Sequence, residues 1–302
     1  MDNDKAPQTD FLAELPIHLS NVSEHYFDNG LCLSGKLNNF KVTITENRVK
    51  IFDASLTKFY LGNNIQMMNR KDVKNAIELL SDKLHLDIGI AKVQHFEYGK
   101  NIVTKYPPEV YFRYLGNKPY SNRFEQKSSL YYMQTFSDFI GYDKIREAKK
   151  KGETIPELYK HCNLLRFEKR YKKNLANQFN CKEVIGNMLF DETFYTSIID
   201  DWYFDYCKIH KIQLYKIDLN MIKTKEQYKL LGVLELVNMQ GGELNALTNI
   251  NEAFKKGEIT KKQKHDLVEL IQKATKSEVL TYKSDEITEL DKKVKESIMY
   301  YR

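Results

Sequence analysis

Three short segments of the chain combine residue types that can act on a phosphate ester. In the first, His95 and Glu97 are separated by one residue. On a β-strand, residues two apart point to the same face, so both side chains would project together. An imidazole and a carboxylate on one face can share a divalent cation. Taken alone, the His-x-Glu spacing more often belongs to a strand face exposed to solvent. The interpretation as a metal site therefore needs support from other segments.

The second segment is a charged stretch, Arg166-Phe167-Glu168-Lys169-Arg170. On a strand, Arg166, Glu168 and Arg170 would share one face, with Phe167 on the other. A carboxylate between two guanidiniums should stay ionised. It can serve as a metal ligand with phosphate-binding neighbours, or it can belong to a cross-strand ladder of ion pairs. Without other evidence the ladder is slightly favoured.

The third segment is Tyr142-Asp143-Lys144, followed by Glu147 one helical turn after Asp143. Tyrosine is a useful nucleophile for DNA because its phosphate diester preserves the energy of the broken bond. Its phenol has an ordinary pKa of about 10, so it needs a nearby cation to attack as phenolate. Lys144 would lie beside Tyr142 on an extended strand, and a metal would polarise the phosphate. By composition alone, Tyr142 is one of 20 tyrosines, most of which are structural.

Charge and composition define the broad class. The chain has 302 residues, a formal net charge of +6 and 42% hydrophobic residues, which is typical of a soluble globular protein. Two basic clusters, Arg166–Lys173 and Lys144–Lys151, surround the candidate chemistry. Each is as compatible with a solvated face as with DNA, and their positions favour phosphate binding. The cysteines lack zinc-type spacing and no apolar run could span a membrane, so we expect a cytoplasmic protein without a membrane partner.

The elements that must position these segments divide the chain into a mixed front part and a helical rear part. All six prolines lie at or before Pro156, so the rear part is free of this helix breaker. Hydrophobic periodicity distinguishes strands from helices, and Asn69 is a plausible helix cap. The predicted strands are Asn39–Phe52, Ala91–Asn101, a hairpin of Ser129–Tyr132 with Phe136–Tyr142, and Asn163–Tyr171. The predicted helices are Asn69–Leu84, Lys144–Lys151, Thr193–His210, Gln227–Met239, Thr260–Ala274 and Glu286–Tyr300, the last of which could equally be a frayed tail.

The order of these segments resembles the replication initiation proteins of the gene II/X family, which are filamentous-phage and plasmid rolling-circle endonucleases. The resemblance runs from about Leu33 to Phe179. Its specific part is the Tyr-x-Lys-x-x-Glu segment (Tyr142, Lys144, Glu147) paired with a downstream Leu-Arg-Phe-Glu-x-Arg strand. It also includes Leu56–Asn63, Ala91–Asn101, Tyr111–Gly116, Ser129–Glu147 and Leu164–Phe179.

This resemblance implies roles for individual residues. In the family, the tyrosine of the Tyr-x-Lys segment is the nicking nucleophile, which implies that role for Tyr142, with Lys144 assisting. The first-strand acid, usually Asp in an Arg-Ile-Asp-like context, aligns with Glu97, and the Arg is replaced by His95. Glu168 aligns with the second-strand carboxylate. Because Glu has a longer reach than Asp, the geometry of a Mg²⁺ or Mn²⁺ ion held by Glu97 and Glu168, and the participation of His95, stay open.

The wider group of tyrosine nickases carries a His-hydrophobic-His metal motif, which this chain lacks, so the resemblance implies a related sheet with altered motif order. The expected partner is single-stranded or supercoiled origin DNA, with a host helicase and polymerase as further candidates. The residues expected to hold the DNA backbone are Arg166, Arg170, Lys172, Lys173 and Arg146.

Together these observations predict an α+β fold. Residues 1–30 would be an N-terminal extension. Residues 31–180 would form an antiparallel-sheet, tyrosine-nickase-like catalytic domain with His95, Glu97, Tyr142 and Glu168 on one face. Residues 181–302 would form a helical domain.

The predicted function is initiation of rolling-circle replication by a site- and strand-specific endonuclease and ligase that forms a 5′-phosphotyrosyl intermediate. Two alternatives stay open. One is a non-enzymatic DNA-binding initiator or repressor, which would bind DNA without cleaving it. The other is a relaxase or transposase that uses the same tyrosine chemistry at a different locus.

Overall fold

Two antiparallel sheets, one of four strands and one of five, organise the chain, with helices packed against them. A computed structural model describes residues 18–27, 30–45, 48–52, 55–215, 220 and 222–299. The strands are β1 Ser20–Phe27, β2 Gly30–Leu37, β3 Phe40–Thr45, β4 Arg48–Phe52, β5 Phe96–Thr104, β6 Asn122–Gln126, β7 Ser129–Met133, β8 Ser137–Asp143, β9 Asn163–Tyr171, β10 Leu214–Tyr215 and β11 Thr281–Tyr282. The α-helices are α1 Leu56–Leu61, α2 Arg70–Leu84, α3 Pro108–Phe112, α4 Lys144–Lys150, α5 Leu175–Gln178, α6 Glu192–Cys207, α7 Lys225–Met239, α8 Glu243–Lys255, α9 Lys261–Thr275 and α10 Asp285–Met299. The predicted α+β fold is confirmed.

The first sheet is a meander in which β1 to β4 pair in sequence order. Alternate residues of β3, namely Phe40, Val42 and Ile44, are buried and pack with Leu80 and Leu84 of α2. This is the period-two pattern that predicted strands in this region. β1 lies within the predicted N-terminal extension, so part of that extension is a strand of the sheet; residues 1–17 lie outside the described residues.

Helix α2 begins where the sequence predicts. Asn69 is its N-cap: the Asn69 side chain accepts from the Asp72 amide, and the Asp72 side chain accepts from the Asn69 amide, both at 3.0 Å. This reciprocal pair satisfies two amides that the first turn of a helix leaves without partners. The helix holds the first sheet through its buried Leu80 and Leu84.

The second sheet has the strand order β5-β9-β8-β7-β6 and carries the candidate chemistry. One face is apolar: Phe139 of β8 and Phe167 of β9 stack with ring centroids 5.5 Å apart. Trp202 of α6 packs over Phe139, and its Nε1 donates to the Phe167 carbonyl at 3.1 Å. The alternation of the strands therefore leaves Arg166, Glu168 and Arg170 of β9 on the opposite face, whereas Lys169 lies on the same side as Phe167 and forms salt bridges with carboxylates of α6.

The rear helices do not all lie apart from this sheet. Tyr195 and Trp202 of α6, and Leu290 and Val294 of α10, belong to the same hydrophobic core as the apolar face of the second sheet. By contrast, α7, α8 and α9 build smaller clusters of their own. Residues on both sides of position 180 thus share one core, and α10 is a packed helix. The proposed domain limits stay a prediction.

The first strand of the second sheet starts later than predicted. Residues 91–93 pair with the segment 184–186 instead: Val93 N donates to Val184 O at 2.9 Å, and Lys92 and Ile185 form an isolated antiparallel β-bridge. β5 therefore begins at Phe96, and the prediction of a strand from Ala91 is wrong for this stretch.

None of the helices in the described ranges has the length and apolar character needed to cross a lipid bilayer. The cytoplasmic location expected from the sequence stays a prediction.

Candidate active site

The polar residues meet on one face of the second sheet, where β9 lies between β5 and β8. Arg170 is paired with Glu97 on β5, and Arg166 with Tyr142 on β8, while Glu168 lies between the two pairs. Directly paired residues of an antiparallel sheet share a face. The structure therefore brings together Glu97, Tyr142 and Glu168, as the alternation predicts.

Glu168 is buried and surrounded by donors. Its Oε1 accepts from Arg170 Nε at 2.8 Å, and its Oε2 accepts from Tyr142 Oη at 3.0 Å. Arg166 Nε lies 3.4 Å from the same Oε2. Burial raises the pKa of Glu168, but the guanidiniums of Arg166 and Arg170 outweigh it and hold the pKa below its usual range. The carboxylate is therefore ionised, as its neighbours predict.

Tyr142 is half-buried at the end of β8. Burial raises the pKa of its phenol well above the usual value; Arg166 acts against this rise, and the carboxylates of Glu168 and Glu147 add to it. The phenol is therefore neutral at pH 7 and donates to an ionised carboxylate. A hydroxyl nucleophile needs such an acceptor for its proton.

Glu97 is the more exposed of the two carboxylates, with 53% of its side chain accessible against 5% for Glu168. Its Oε1 lies 3.1 Å from Arg170 Nε, so one guanidinium serves both carboxylates. Desolvation, and next the negative charge of Glu168, raise the pKa of Glu97 to about 7. The pair thus has too little positive charge around it to keep both members ionised easily.

This donor set fits a divalent cation. Two carboxylates on adjacent strands offer the hard oxygen ligands that Mg²⁺ and Mn²⁺ take, and a cation there would supply the missing positive charge. His95 does not join the pair, because it precedes β5 and is exposed. Within the described ranges, no three His, Cys, Asp or Glu side chains are grouped to hold a metal. Water and substrate would therefore complete the ligand set of an ion held by Glu97 and Glu168.

Lys144 lies next to Tyr142 in a different way from the one predicted. The extended strand ends at Asp143, and Lys144 is the first residue of α4, with 1% of its surface exposed. Its Nζ donates to Glu147 Oε2 at 2.7 Å and lies 5.9 Å from the centroid of the Tyr142 ring. Burial lowers the pKa of Lys144, although Glu147 acts to raise it. The ammonium thus faces the ring of Tyr142 and is paired with Glu147.

The residues predicted to hold the DNA backbone occupy three kinds of position. Arg166 and Arg170 belong to the site and contact its carboxylates. Lys172 donates to a carboxylate of β8 at 2.9 Å. Lys173 and Arg146 are exposed, at the end of β9 and on α4 respectively. The latter two face solvent at the borders of the site.

Two residues that were not identified from the sequence hold the Arg166 side chain in place. Arg166 Nη1 donates to the backbone carbonyl of Asn64 at 3.0 Å. Gly99 on β5 leaves room for the guanidinium, since an added Cβ would lie 2.8 Å from Arg166 Nε. A glycine inside a strand is a sequence signal for such a close approach. A carbonyl contact has no comparable signal, because every residue has a carbonyl.

Residues 10–202 match a known family, described as the N-terminal part of a phage replication-associated protein, the gene II protein. The match covers more than half of the 302 residues and includes the whole second sheet. The match places this molecule in the class of phage proteins that initiate replication. The chain belongs to this family, and membership implies that it binds origin DNA. No curated protein matches the chain.

Proposed function

We propose that the chain is a site- and strand-specific DNA endonuclease and ligase with Tyr142 as its nucleophile. The observation that carries this proposal is the hydrogen bond from Tyr142 Oη to Glu168 Oε2 at 3.0 Å. It joins a nucleophile to an acceptor for its proton. Arg166 and Arg170 lie beside this pair and provide positive charge for a phosphate. Family membership supplies the origin DNA as substrate.

In the cleavage step, Tyr142 Oη forms a bond to the phosphorus of a phosphodiester. Its proton passes to Glu168 Oε2, which already accepts the hydrogen bond. The bond between phosphorus and the 3′ oxygen breaks, and that oxygen takes a proton from water and leaves as a 3′ hydroxyl. The 5′ phosphate remains on Tyr142 as a phosphotyrosyl diester, whose attack by a 3′ hydroxyl reverses the step and rejoins the strand.

A divalent cation fits the pair Glu97 and Glu168, and when bound it would supply positive charge that polarises the scissile phosphate. The protein side chains do the remaining work. Arg166 is fixed by the Asn64 carbonyl and holds the phosphate edge near Tyr142. Lys144 is fixed by Glu147 and packs against the Tyr142 ring, so it keeps the ring in place.

The raised pKa of Tyr142 has a useful consequence in this scheme. A phenol that stays neutral in the free protein is a weak nucleophile, so it does not react before DNA is bound. It becomes reactive when a phosphate and its counter-cations occupy the site. The 3′ hydroxyl released by cleavage would prime synthesis by a host polymerase, with strand separation by a helicase; both enzymes are part of the proposal, as is a cytoplasmic location.

The test is incubation of the purified protein with single-stranded DNA that carries the origin of its replicon, with Mn²⁺, Mg²⁺ or EDTA. The products are resolved on a denaturing gel containing SDS. We expect a nick and a covalent protein–DNA adduct with metal, and neither with EDTA. Tyr142→Phe should bind the DNA and form no adduct, because it lacks the attacking oxygen.

Tyr228→Phe is the matched control, because Tyr228 is exposed on α7, outside the catalytic sheet. It should nick at the parent rate. An adduct that persists in Tyr142→Phe would refute the assignment of the nucleophile. Binding of origin DNA without a nick under any metal condition would instead favour the non-enzymatic initiator.

A further inference from the structure

The first sheet has a face that the proposed chemistry does not use. One side of the meander packs against α2. Strand register places on the other side Lys36 of β2, Lys41 of β3 and Lys50 and Arg48 of β4, because Lys36 pairs with Lys41, Thr43 pairs with Lys50 and Thr45 pairs with Arg48. We call this side the outer face. Its four cations lie on three adjacent strands.

The remaining side chains of the outer face are mainly rings and hydroxyls. The rings are Phe27 and His25 of β1 and Phe52 of β4; the hydroxyls are those of Ser23, Ser34, Thr43 and Thr45. Among the strand residues of the first sheet that the structure describes, Glu24 is the only acid, and it lies on the opposite side, in register with Leu33. The described part of the outer face therefore carries no carboxylate.

Among the described residues, three of the four cations of this face form no salt bridge with a carboxylate. Within the described parts of the chain, no salt bridge involves Lys36, Arg48 or Lys50. The Nζ atoms of Lys50 and Lys41 lie 5.4 and 5.9 Å from the centroid of the Phe52 ring. Phe27 is 65% exposed. The face thus differs from the catalytic face, where both arginines are paired with carboxylates.

We propose that the outer face binds a single strand of DNA, with phosphates on the four cations and bases stacked on Phe27 and Phe52. The outer face offers the exposed ring of Phe27, the partly exposed ring of Phe52 and cations on adjacent strands. Unpaired bases can stack on such rings while the cations follow the backbone. A duplex fits less well, because its bases are already stacked and cannot use the rings. The proposal takes DNA as the ligand from the function proposed above, and it adds a second contact site to the catalytic one.

The test measures binding separately from cleavage. The full chain with Tyr142→Phe is titrated against a fluorescent single-stranded oligonucleotide without the origin sequence, and anisotropy is followed over a range of salt concentrations. With Lys36→Gln, Arg48→Gln and Lys50→Gln added, affinity at about 0.1 M salt should fall at least about tenfold. The slope of log K against log salt should fall by about 2, since each lost phosphate contact contributes about 0.7.

The matched control removes three charges elsewhere, by Lys225→Gln, Lys229→Gln and Lys295→Gln, all at exposed helix positions. It should leave affinity within about twofold and the slope unchanged, because net charge alone has little effect at this salt concentration. Phe27→Ala should weaken binding about tenfold at an unchanged slope, because it removes stacking without removing charge.

Three results would overturn the inference. The outer-face triple variant could bind single-stranded DNA as tightly as the parent, or the control triple variant could lose as much affinity. The parent could also bind a duplex more tightly than a single strand, with that duplex binding lost in the outer-face triple variant and kept in the control. Circular dichroism melts of each variant show whether folding is retained. The two proposals fail separately. A protein that nicks through Tyr142 while the triple variant binds normally loses only this inference, and one that binds through the outer face without nicking loses only the catalytic proposal.

Discussion

At the scale of single residues, the two carboxylates of the site share the positive charge of the neighbouring arginines. Glu168 receives contacts from Tyr142, Arg166 and Arg170, whereas Glu97 forms a salt bridge with Arg170, which it shares with Glu168. The pKa values follow this division, low for Glu168 and about 7 for Glu97. Two carboxylates of one site thus differ in proton affinity because of their neighbours. Glu97 is the member whose charge depends on what binds.

A buried titratable group, Lys100, gives a prediction about stability. Lys100 lies on β5 with 1% of its surface exposed, and burial lowers its pKa to about 7. Between about pH 7 and 10 the unfolded chain therefore binds a proton that the folded protein does not. The free energy of unfolding should rise in this window by roughly 1.4 kcal/mol per pH unit from this residue.

Lys100→Met should remove that contribution. The measurement is urea unfolding of both proteins at several pH values across this window, and the difference between their free energies of unfolding should shift steadily with pH. Lys211, whose pKa burial lowers to about 8, acts in the same direction and is common to both proteins, so it cancels in the difference. A difference that stays constant with pH would contradict the prediction.

At the scale of elements, the close packing of β5 against the Arg166 side chain depends on Gly99. A Cβ at this position would lie 2.8 Å from Arg166 Nε and 3.2 Å from the Phe167 carbonyl. Gly99→Ala should therefore displace Arg166 and lower the free energy of unfolding by about 1–3 kcal/mol. It should also slow nicking in the proposed reaction, because the guanidinium beside Tyr142 moves.

Gly232→Ala is the control for this substitution. Gly232 lies inside α7 with nothing near its missing Cβ, so alanine there should raise the free energy of unfolding by about 0.5–1 kcal/mol. Thermal melts and nicking rates of the two variants check the contrast. Equal effects at the two glycines would show that the contact with Arg166 is unimportant.

The elements that the sequence predicts are those with local signals. β9 has the predicted bounds, and α2 begins at the predicted cap, because alternation and capping residues lie within the element itself. The predicted α6, α7, α9 and α10 differ from the observed helices by a few residues at their ends. Helix α8 is not among the predicted elements, although its apolar residues, such as Leu244 and Leu247, recur at helical spacing after a Gly-Gly pair that also ends α7.

The candidate site is predictable in part for the same reason. Period-two alternation places Arg166 and Glu168 on one face of β9, but it does not say which strands flank β9 or in what register. The sharing of Arg170 by Glu97 and Glu168, and the Asn64 carbonyl contact, depend on pairing between distant segments. His95 belongs to the predicted strand but lies outside the observed β5, because residues 91–93 pair with residues 184–186 instead of continuing β5.

At the scale of the whole molecule, α10 joins the rear of the chain to the second sheet. Leu290 is fully buried in the core that also contains Phe139 and Phe167. Tyr111 Oη donates to Glu289 Oε2 at 2.6 Å, and Lys293 Nζ donates to the Val103 carbonyl at 2.8 Å. The helix is therefore part of the support of the sheet.

Leu290→Ala should lower the free energy of unfolding by about 2–5 kcal/mol, because it opens a cavity in this core. The exposed Leu236 of α7 is the control, and Leu236→Ala should change stability by less than about 0.5 kcal/mol. Near-ultraviolet circular dichroism, which reports the aromatic residues of the core, follows the unfolding. An unchanged transition in Leu290→Ala would indicate that the sheet folds independently of the rear helices.

The position of α10 also has a consequence for folding during synthesis. The ribosome makes β5 to β9 long before α10, yet the apolar face of the sheet needs Leu290 and Val294 to be covered. Until then a nascent chain exposes that face, and folding must wait for contacts between residues far apart in sequence, which are slow to form. A nascent chain that still lacks α10 should therefore be unable to nick DNA and should be prone to capture by chaperones.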